Sequence, residues 1–263
     1  MLFYERNHMK NRGDDMTLQE FFALHPKVAI AFSGGVDSAY LLYAAQKYAK
    51  EVCAYYVKSE FQPKFELEDA IRLSKELHAK LTVLPLKVLA VPCVSENPPE
   101  RCYHCKKAIF GAITEAAMAD GFTVLLDGTN ASDDVKDRPG MRALTELSVL
   151  SPLRACALTK MQIRQLSKEA NLFTWDKPAY ACLATRLPTG ETITEQKLYA
   201  TEMAEDYLFS LGFTNFRVRS QDGHARLQIP EKQLELLLLH RKEILDKLKA
   251  YYKTVSLDLE VRE

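Results

Sequence analysis

The segment Ser33-Gly34-Gly35-Val36-Asp37-Ser38 has the residue types of a phosphate-binding loop. It follows the apolar run Val28 to Phe32 and precedes residues with helical spacing, so it lies between a predicted strand and a predicted helix. Glycines let the backbone fold tightly around an oxyanion, and a helix N-terminus presents free amide groups and a positive dipole to it. Ser33 and Ser38 add hydroxyl donors, and Asp37 is placed to hold magnesium or orient a neighbouring group. The segment therefore predicts a site for nucleotide phosphates.

Three of the six cysteines stand in contexts that suggest chemistry. Cys102 and Cys105 are separated by two residues and flanked by positive charge, which favours thiolates and lets both sulfurs reach one metal or each other. This pair alone is consistent with a redox couple, half of a zinc site, part of an iron–sulfur site, or chance. Cys182 lies four residues before Arg186, whose guanidinium suits a carboxylate or a phosphate. The other three cysteines are predicted to be structural: Cys53, Cys93 and Cys156.

Alternating strands and helices must position these residues. The apolar patterns predict strands at 28–32, 52–57, 81–85 and 124–126. They also predict three helices, one that begins at about residue 36, one at 65–77 and one at 108–118. Such alternation implies an α/β fold: a parallel sheet with helices on both faces. The segment 130–140 is then a loop at the carboxyl edge of that sheet, where such folds place ligands.

The order of elements changes in the last third of the chain. Thr159 and Gln162 form a predicted capping box for a helix that runs to about Ala170. The prolines and the glycine of 178–190 indicate that this segment is a connector. After it the pattern predicts a helix (195–211), two strands (216–219 and 224–229), a helix (231–249) and a strand (254–259). We therefore predict three parts: an N-terminal extension (1–15), a nucleotide-binding domain (16–190) and a small α+β domain with an antiparallel sheet (191–263).

Composition narrows the class of partner and the compartment. Lys plus Arg and Asp plus Glu number 35 each, so the chain lacks the positive excess of a protein with a long nucleic-acid footprint. No apolar stretch approaches the ~20 residues of a membrane helix, and the N-terminus has no signal-peptide pattern. We expect a cytoplasmic protein that acts without membrane or nucleic acid, with cysteines kept as thiols or metal ligands.

The six-residue loop resembles the signature of the PP-loop ATP pyrophosphatases and lacks the lysine of a Walker loop. The resemblance implies that a substrate oxygen attacks the α-phosphorus of ATP, with Mg²⁺, while the loop holds the departing pyrophosphate. It places phosphates on Ser33, Gly34, Gly35, Asp37 and Ser38. It places the adenine near Ala31, Phe32, Val57 and Lys58, with Asp127 and Gly128 closing the other side.

Further motifs resemble one family within this class, the pyridinium biscarboxylic acid mononucleotide sulfurtransferases, or LarE family. The resemblance runs from about Thr17 to Leu259, and the motifs occur in the family's order: Leu126 to Asn130, Asp137 to Gly140, Ser151 to Leu153, Thr174 to Pro178 and Cys182 to Arg186. It implies adenylation of the carboxylates of a nicotinate-derived mononucleotide and their conversion to thiocarboxylates, for the nickel-pincer cofactor of lactate racemase. The family also forms homo-oligomers.

The resemblance gives the cysteines specific roles. Cys182 matches a cysteine that some members sacrifice as the sulfur donor. Other members add an upstream Cys-x-x-Cys, here Cys102 and Cys105, and the three thiolates hold a [4Fe-4S] cluster. Three thiolates leave one iron free to bind a sulfide from an external source. We therefore expect Cys102, Cys105 and Cys182 to be both catalytic and metal-binding, with the sacrificial mechanism as an alternative.

The family's substrate-site residues map onto Arg186, Arg217, Arg219 and Glu205. Arg217 and Arg219 are two apart on a predicted strand and should share a face. The chain departs from the family at Gln228, where an acidic residue is frequent, and at Thr185, which replaces serine. Two other functions stay open: an iron–sulfur PP-loop tRNA thiolase, and a non-catalytic protein that retains a nucleotide pocket.

Overall fold

A four-stranded parallel sheet forms the centre of the larger part of the protein. The computed structural model describes residues 16–134, 139–260 and 262. The strand order is β3-β2-β1-β4, and every neighbouring pair is parallel, as the sequence predicts. These strands are β1 (Lys27–Ala31), β2 (Glu51–Lys58), β3 (Lys80–Pro85) and β4 (Leu125–Leu126). The predicted extension 1–15 lies outside the described residues, as do Asp137 and Arg138.

Helices cover both faces of this sheet because successive strand residues point to opposite sides. Val28 and Ile30 of β1 are fully buried against the helices of one face, whereas Ala29 is fully buried against those of the other. Burying one such large aliphatic side chain stabilises the fold by about 1.5–3 kcal/mol. The helices are α1 (Leu18–Leu24), α2 (Val36–Tyr48), α3 (Lys64–Glu76), α4 (Pro92–Ser95), α5 (Arg101–Ala119), α6 (Pro139–Glu146), α7 (Pro152–Ala155) and α8 (Lys160–Glu169).

The helix that carries the cysteine pair begins earlier than predicted. The apolar pattern places its start at Ala108, but α5 begins at Arg101, so Cys102 and Cys105 lie in its first turns. The charged segment before Ala108 hides the helical period, because its basic residues are spread around the helix. The prediction at Thr159 is confirmed: its side chain accepts from the Gln162 amide, and the Gln162 side chain accepts in return from the Thr159 amide.

The C-terminal part has its own sheet and core. Its elements are α9 (Glu195–Ser210), β5 (Arg217–Gln221), β6 (His224–Gln228), α10 (Leu234–Leu239), α11 (Arg241–Leu248) and β7 (Thr254–Leu257). The sheet is mixed, since β5 and β6 are antiparallel whereas β6 and β7 are parallel. The prediction of an antiparallel sheet is therefore wrong for β7, because the helices between β6 and β7 carry the chain back to its starting edge. The helix predicted at 231–249 is also wrong: it is a short 3₁₀ turn followed by two helices that break at His240.

A separate apolar cluster joins the two parts. Leu183 and Leu187 of the connector pack with Phe61, which follows β2, and with Ile193 and Leu198 at the start of the C-terminal part. This cluster spans residue 190, and the division of the chain there stays a prediction. None of the described helices combines the length and the apolar character that a membrane crossing requires.

Candidate functional site

The phosphate loop is held open by its own hydroxyl groups. Gly34 has a φ of +73°, a conformation that favours glycine, and Gly35 is the N-cap of α2 without a side chain bonded to the helix end. The hydroxyls of Ser33 and Ser38 share a hydrogen bond of 3.0 Å, and the Ser38 hydroxyl also donates to the Gly35 carbonyl at 3.2 Å. No side chain caps the start of α2, which leaves its amides available to an anion.

The segment after β4 forms the second wall of the loop. The Asp127 carboxylate accepts hydrogen bonds from the Thr129 amide at 3.2 Å and from the Ser151 hydroxyl at 2.6 Å. A methyl group added to Gly128 would lie 3.0 Å from the Ser38 nitrogen, so only glycine lets these two backbones approach so closely. Asp127 and Gly128 thus lie against the phosphate loop and line the adjoining cavity, and their predicted contact with the adenine stays a prediction.

Asp37 carries the negative charge in the mouth of the loop. Its carboxylate accepts from the Asn130 side-chain amide at 3.3 Å and from the Lys160 ammonium at 2.5 Å. Lys160 is the first residue of α8, more than a hundred positions along the chain. Asp37 and Lys160 therefore form an ion pair at the mouth of the phosphate loop, and the predicted role of Asp37 toward magnesium stays a prediction.

A cavity of about 400 Å³ opens beside the loop at the carboxyl ends of β1 and β2. The loop forms one end, and Ala31, Phe32 and Val57 form an apolar wall where the adenine is predicted. Lys58, also predicted there, donates to the Gln62 carbonyl and is not among the residues that line this cavity. The other polar lining residues come from several elements: Tyr56, Gln62, Glu66, Lys106, Lys160, Lys177, Tyr180 and Cys182.

Cys182 lies in the same cavity as the phosphate loop, and the start of α5 brings the other two cysteines next to it. The Arg101 guanidinium donates to the Ala184 carbonyl at 2.9 Å and contacts the Cys102 sulfur at 3.5 Å, so it ties α5 to the connector. Cys105 and Cys182 pack on the same apolar cluster. Cys102 is exposed and lines an adjoining cavity of about 500 Å³ that shares Asp37 and Lys106 with the first.

The three thiols influence one another electrostatically. Burial, followed by the nearby charges of Cys182 and Cys102, raises the pKa of Cys105 to about 12. Burial also raises the pKa of Cys182, and the Arg101 charge opposes that rise. Among the described residues, no group of three His, Cys, Asp or Glu side chains has the spacing for a single ion.

Arg186 and Glu205 form a buried ion pair at the junction of the two parts. Their side chains are 0% and 1% exposed, and the carboxylate accepts from Nε of Arg186 at 2.8 Å and from its second nitrogen at 2.9 Å. Glu205 also accepts from the Val218 amide and from the Tyr180 hydroxyl. Burial acts to lower the pKa of Arg186, but the bonds to Glu205 outweigh it and the pKa is raised. This pair braces the connector against α9 and β5. That Arg186 and Glu205 also contact the substrate stays a prediction.

Arg217 and Arg219 share the face of β5 that looks onto the connector, as the sequence predicts. Arg217 donates to the Ala179 carbonyl at 2.8 Å, and Arg219 donates to the Thr185 carbonyl at 2.6 Å and to the Gln228 side chain at 2.7 Å. Burial, with the charges of neighbouring arginines, lowers the pKa of Arg217 to about 10 and also lowers that of Arg219. A bound anion would relieve this excess of positive charge.

Seven polar lining residues were not predicted as site residues from the sequence. They are Tyr56, Gln62, Glu66, Lys106, Lys160, Lys177 and Tyr180. Three of them had a signal in the sequence, since Lys106 follows the cysteine pair, Lys160 begins a capped helix and Lys177 lies in the motif Thr174 to Pro178. The tertiary structure alone brings Glu66 to the cavity.

Comparison with known proteins gives one family match and several relatives. The family model for the queuosine biosynthesis protein QueC matches residues 27–95. An uncharacterized protein of Synechocystis is 36% identical over 221 residues, which cover 83% of this chain and 82% of the relative. The pyridinium-3,5-bisthiocarboxylic acid mononucleotide synthase of Lactiplantibacillus plantarum is 31% identical over 236 residues, covering 89% of this chain and 86% of that enzyme. The tRNA-specific 2-thiouridylase MnmA of Thermotoga sp. is 26% identical over 188 residues, covering 56% and 52%.

Proposed function

The chain belongs to the LarE family of PP-loop sulfurtransferases, and we propose that it converts carboxylates of a nicotinate-derived mononucleotide to thiocarboxylates, for the nickel-pincer cofactor of lactate racemase. The PP-loop family implies the use of ATP and Mg²⁺. One observation carries the proposal: Cys182 and the phosphate loop line a single cavity, and Cys102 and Cys105 approach from the adjoining helix. An activated carboxylate and a sulfur source would meet there.

In the first step, a substrate carboxylate oxygen attacks the α-phosphorus of ATP. The bond from the α-phosphorus to the bridging oxygen breaks, and pyrophosphate leaves with that oxygen. The amides at the start of α2, the hydroxyls of Ser33 and Ser38, and the Lys160 ammonium bind the departing charge. Asp37 would hold a magnesium ion, which would supply further positive charge to the phosphates. Sulfide then attacks the carbonyl carbon, the carbon–oxygen bond to AMP breaks, and a thiocarboxylate remains.

The arginines of the C-terminal part supply the substrate site. A mononucleotide dicarboxylate carries several negative charges, and Arg217 and Arg219 are cations that lack a carboxylate hydrogen-bond partner among the described residues. The buried Arg186–Glu205 pair holds the connector and β5 together, so both guanidinium groups are positioned before the substrate arrives. The comparisons favour a mononucleotide over tRNA as the substrate, because the mononucleotide synthase matches 89% of this chain and the thiouridylase 56%.

Cys102, Cys105 and Cys182 would hold the [4Fe-4S] cluster. When bound, that group would supply an iron with an open coordination position for an extra sulfide. The residues fit such a group: Cys105 and Cys182 pack on one apolar cluster, and the Arg101 guanidinium contacts the Cys102 sulfur at 3.5 Å, where it would offset the charge of bound thiolates. A second mechanism has its own support. Because Cys182 lines the nucleotide cavity and Cys102 the adjoining one, Cys182 could instead give up its own sulfur.

Anaerobic reconstitution with iron and sulfide tests the proposal. We expect bound iron in the wild type, little in Cys182→Ala, and wild-type content in Cys93→Ala, since Cys93 is exposed and away from both cavities. The reconstituted enzyme should release pyrophosphate from Mg-ATP with a pyridinium dicarboxylate mononucleotide. Iron-free wild type that loses H₂S from Cys182 during turnover would establish the sacrificial mechanism. Absence of pyrophosphate release with the mononucleotide would refute the proposed reaction.

Two further properties are proposed. The exposed Leu238 and Leu239 of α10 support assembly of the chain into a homo-oligomer, since such side chains are commonly covered at subunit interfaces. The absence of a disulfide among the six cysteines, all of which lie in the described residues, supports a reducing, cytoplasmic location. Sedimentation of the purified protein tests the first property, and a monomer at micromolar concentration would contradict it.

A further inference from the structure

Glu66 and Tyr56 are polar groups of the cavity that the reaction above does not use. Glu66 lies in the first turn of α3, and its carboxylate accepts no hydrogen bond from residues 16–134, 139–260 or 262. Tyr56 belongs to β2, is 1% exposed, and its hydroxyl has no hydrogen-bond partner within the same residues. Both line the cavity that contains the phosphate loop and Cys182. The Tyr56 hydroxyl is therefore a buried polar group without a partner, which is rare and calls for a ligand, and the partly buried Glu66 faces the same cavity.

The cations around Glu66 are already bound to other groups. Lys177 donates to Asp69 at 2.6 Å, the Lys58 ammonium is bound by the Gln62 carbonyl, and Arg186 is paired with Glu205. Their charges act on Glu66, but burial outweighs them and raises its pKa to about 7. Glu66 is thus a carboxylate without a dedicated counter-ion, at the edge of a site for anions.

The chemistry of this corner selects the kind of ligand atom. A carboxylate accepts hydrogen bonds and repels phosphates and other carboxylates, so the group that meets it must be an uncharged donor. The Tyr56 hydroxyl can donate one bond and accept another. Vicinal hydroxyl groups satisfy both residues at once, and a carboxylate that binds ribose hydroxyls is a recurrent device in nucleotide sites.

The position of the pair agrees with a ribose. Tyr56 and Val57 lie near the end of β2 and both line the cavity, and Val57 belongs to the apolar wall predicted for the base. The Glu66 backbone lies beside the phosphate loop, since a methyl group added to Gly34 would be 3.3 Å from the backbone carbonyl oxygen of Glu66. In a nucleotide the ribose connects the base to the phosphates, and Tyr56 and Glu66 line the one cavity that contains both of the corresponding parts.

We propose that Tyr56 and Glu66 form a ribose subsite, in which the carboxylate accepts hydrogen bonds from the 2′- and 3′-hydroxyls and the tyrosine hydroxyl donates to a ribose oxygen. The ribose belongs either to ATP or to the mononucleotide, and only the second case rests on the proposed function. The chemistry of recognition is the same in both.

Direct binding of paired ligands tests the subsite. Calorimetry would compare Mg-ATP with 2′-deoxy-ATP and 3′-deoxy-ATP, and nicotinic acid mononucleotide with its 2′-deoxyribose form. For the ligand whose ribose lies here, the wild type should prefer the ribose form by roughly ten- to a hundredfold, the usual effect of a hydrogen bond to a charged group. In Glu66→Gln this preference should fall below about tenfold. Glu68→Gln is the matched control, because Glu68 is exposed on the same helix.

The outcomes separate the two sources of the ribose. Loss of preference only among the ATP analogues assigns the subsite to ATP, and loss only among the mononucleotides assigns it to the substrate. If Glu66→Gln weakens ribose and deoxyribose ligands equally, or neither, the subsite is refuted. Tyr56→Phe repeats the test with a variant that lacks only one oxygen. Because binding needs no sulfur transfer, a subsite for ATP would stand even if no mononucleotide released pyrophosphate.

Discussion

Replacing Glu66 with glutamine should stabilise the free protein at alkaline pH and change it little at acid pH. Glu66 is a partly buried carboxyl group among Lys177, Arg186, Lys58 and Asp69, and burial raises its pKa from the ordinary value of 4.5 to about 7. The folded protein therefore pays to ionise this group. Glutamine has the same shape and resembles the neutral acid, so it removes that cost.

The magnitude follows from linkage between protonation and folding. Each tenfold change in proton affinity is worth about 1.4 kcal/mol, so a pKa that moves from 4.5 to about 7 corresponds to roughly 3 kcal/mol. Between these two values the folded state binds more protons than the unfolded state, and the contribution of Glu66 to stability falls as the pH rises. Below pH 4.5 both states are protonated and the cost disappears. Above pH 7 the cost is complete.

Urea unfolding at pH 5 and pH 8 measures this difference. The gain in unfolding free energy for Glu66→Gln over wild type should be roughly 3 kcal/mol at pH 8 and about 1 kcal/mol or less at pH 5. Glu68→Gln, an exposed residue two positions away, should show no such pH dependence. An equal gain at both pH values would refute the assignment of a raised pKa to Glu66. A loss of stability at pH 8 would show that its charge is needed by the fold.

Three further substitutions test the architecture of the site. Arg186→Met leaves the buried Glu205 charge unpaired and should lower the unfolding free energy by about 3–5 kcal/mol in the same urea assay. The double variant Arg186→Met/Glu205→Gln should recover part of that loss. A single variant as stable as wild type would refute the bracing role of the pair. Gly128→Ala should weaken Mg-ATP binding at least about tenfold, because the new methyl group displaces the phosphate loop. The control Gly111→Ala, whose methyl group meets no atom within 4 Å, should bind Mg-ATP normally. Equal affinities of the two variants in calorimetry would contradict the close approach of Gly128 to Ser38. Lys160→Met should weaken Mg-ATP binding about tenfold with unchanged thermal stability, and undiminished affinity would remove Lys160 from the phosphate site.

The amino-acid sequence was sufficient for the fold class and the phosphate loop because both depend on local patterns. Alternation of apolar strands and helices leaves few topologies other than a covered parallel sheet. The loop lies in one continuous segment whose glycines and helix start are visible together. Three predictions failed where the local signal was weak. They are the start of α5, which basic residues hide, the single helix at 231–249, which breaks at His240, and the pairing of β7, which depends on the path of the chain across the sheet.

The predicted cysteines and arginines were identified through resemblance, and the structure shows how they are arranged. The sequence places Cys105 and Cys182 77 positions apart, whereas the folded chain packs both on one apolar cluster. It also leaves open whether Arg186 is free to bind a ligand. Only the tertiary structure reveals that the Arg186 guanidinium already donates two hydrogen bonds to the Glu205 carboxylate.

Glu66 and Tyr56 show most clearly what the sequence could not decide. A glutamate at the start of an amphipathic helix faces water in most proteins, and a tyrosine in a buried strand is usually part of the core. Whether these groups lack partners depends on the positions of Lys177, Lys58 and Arg186, which come from three distant segments. Hydrogen bonding and burial are properties of neighbours in space, so the folded chain alone determines which polar groups remain available for a ligand.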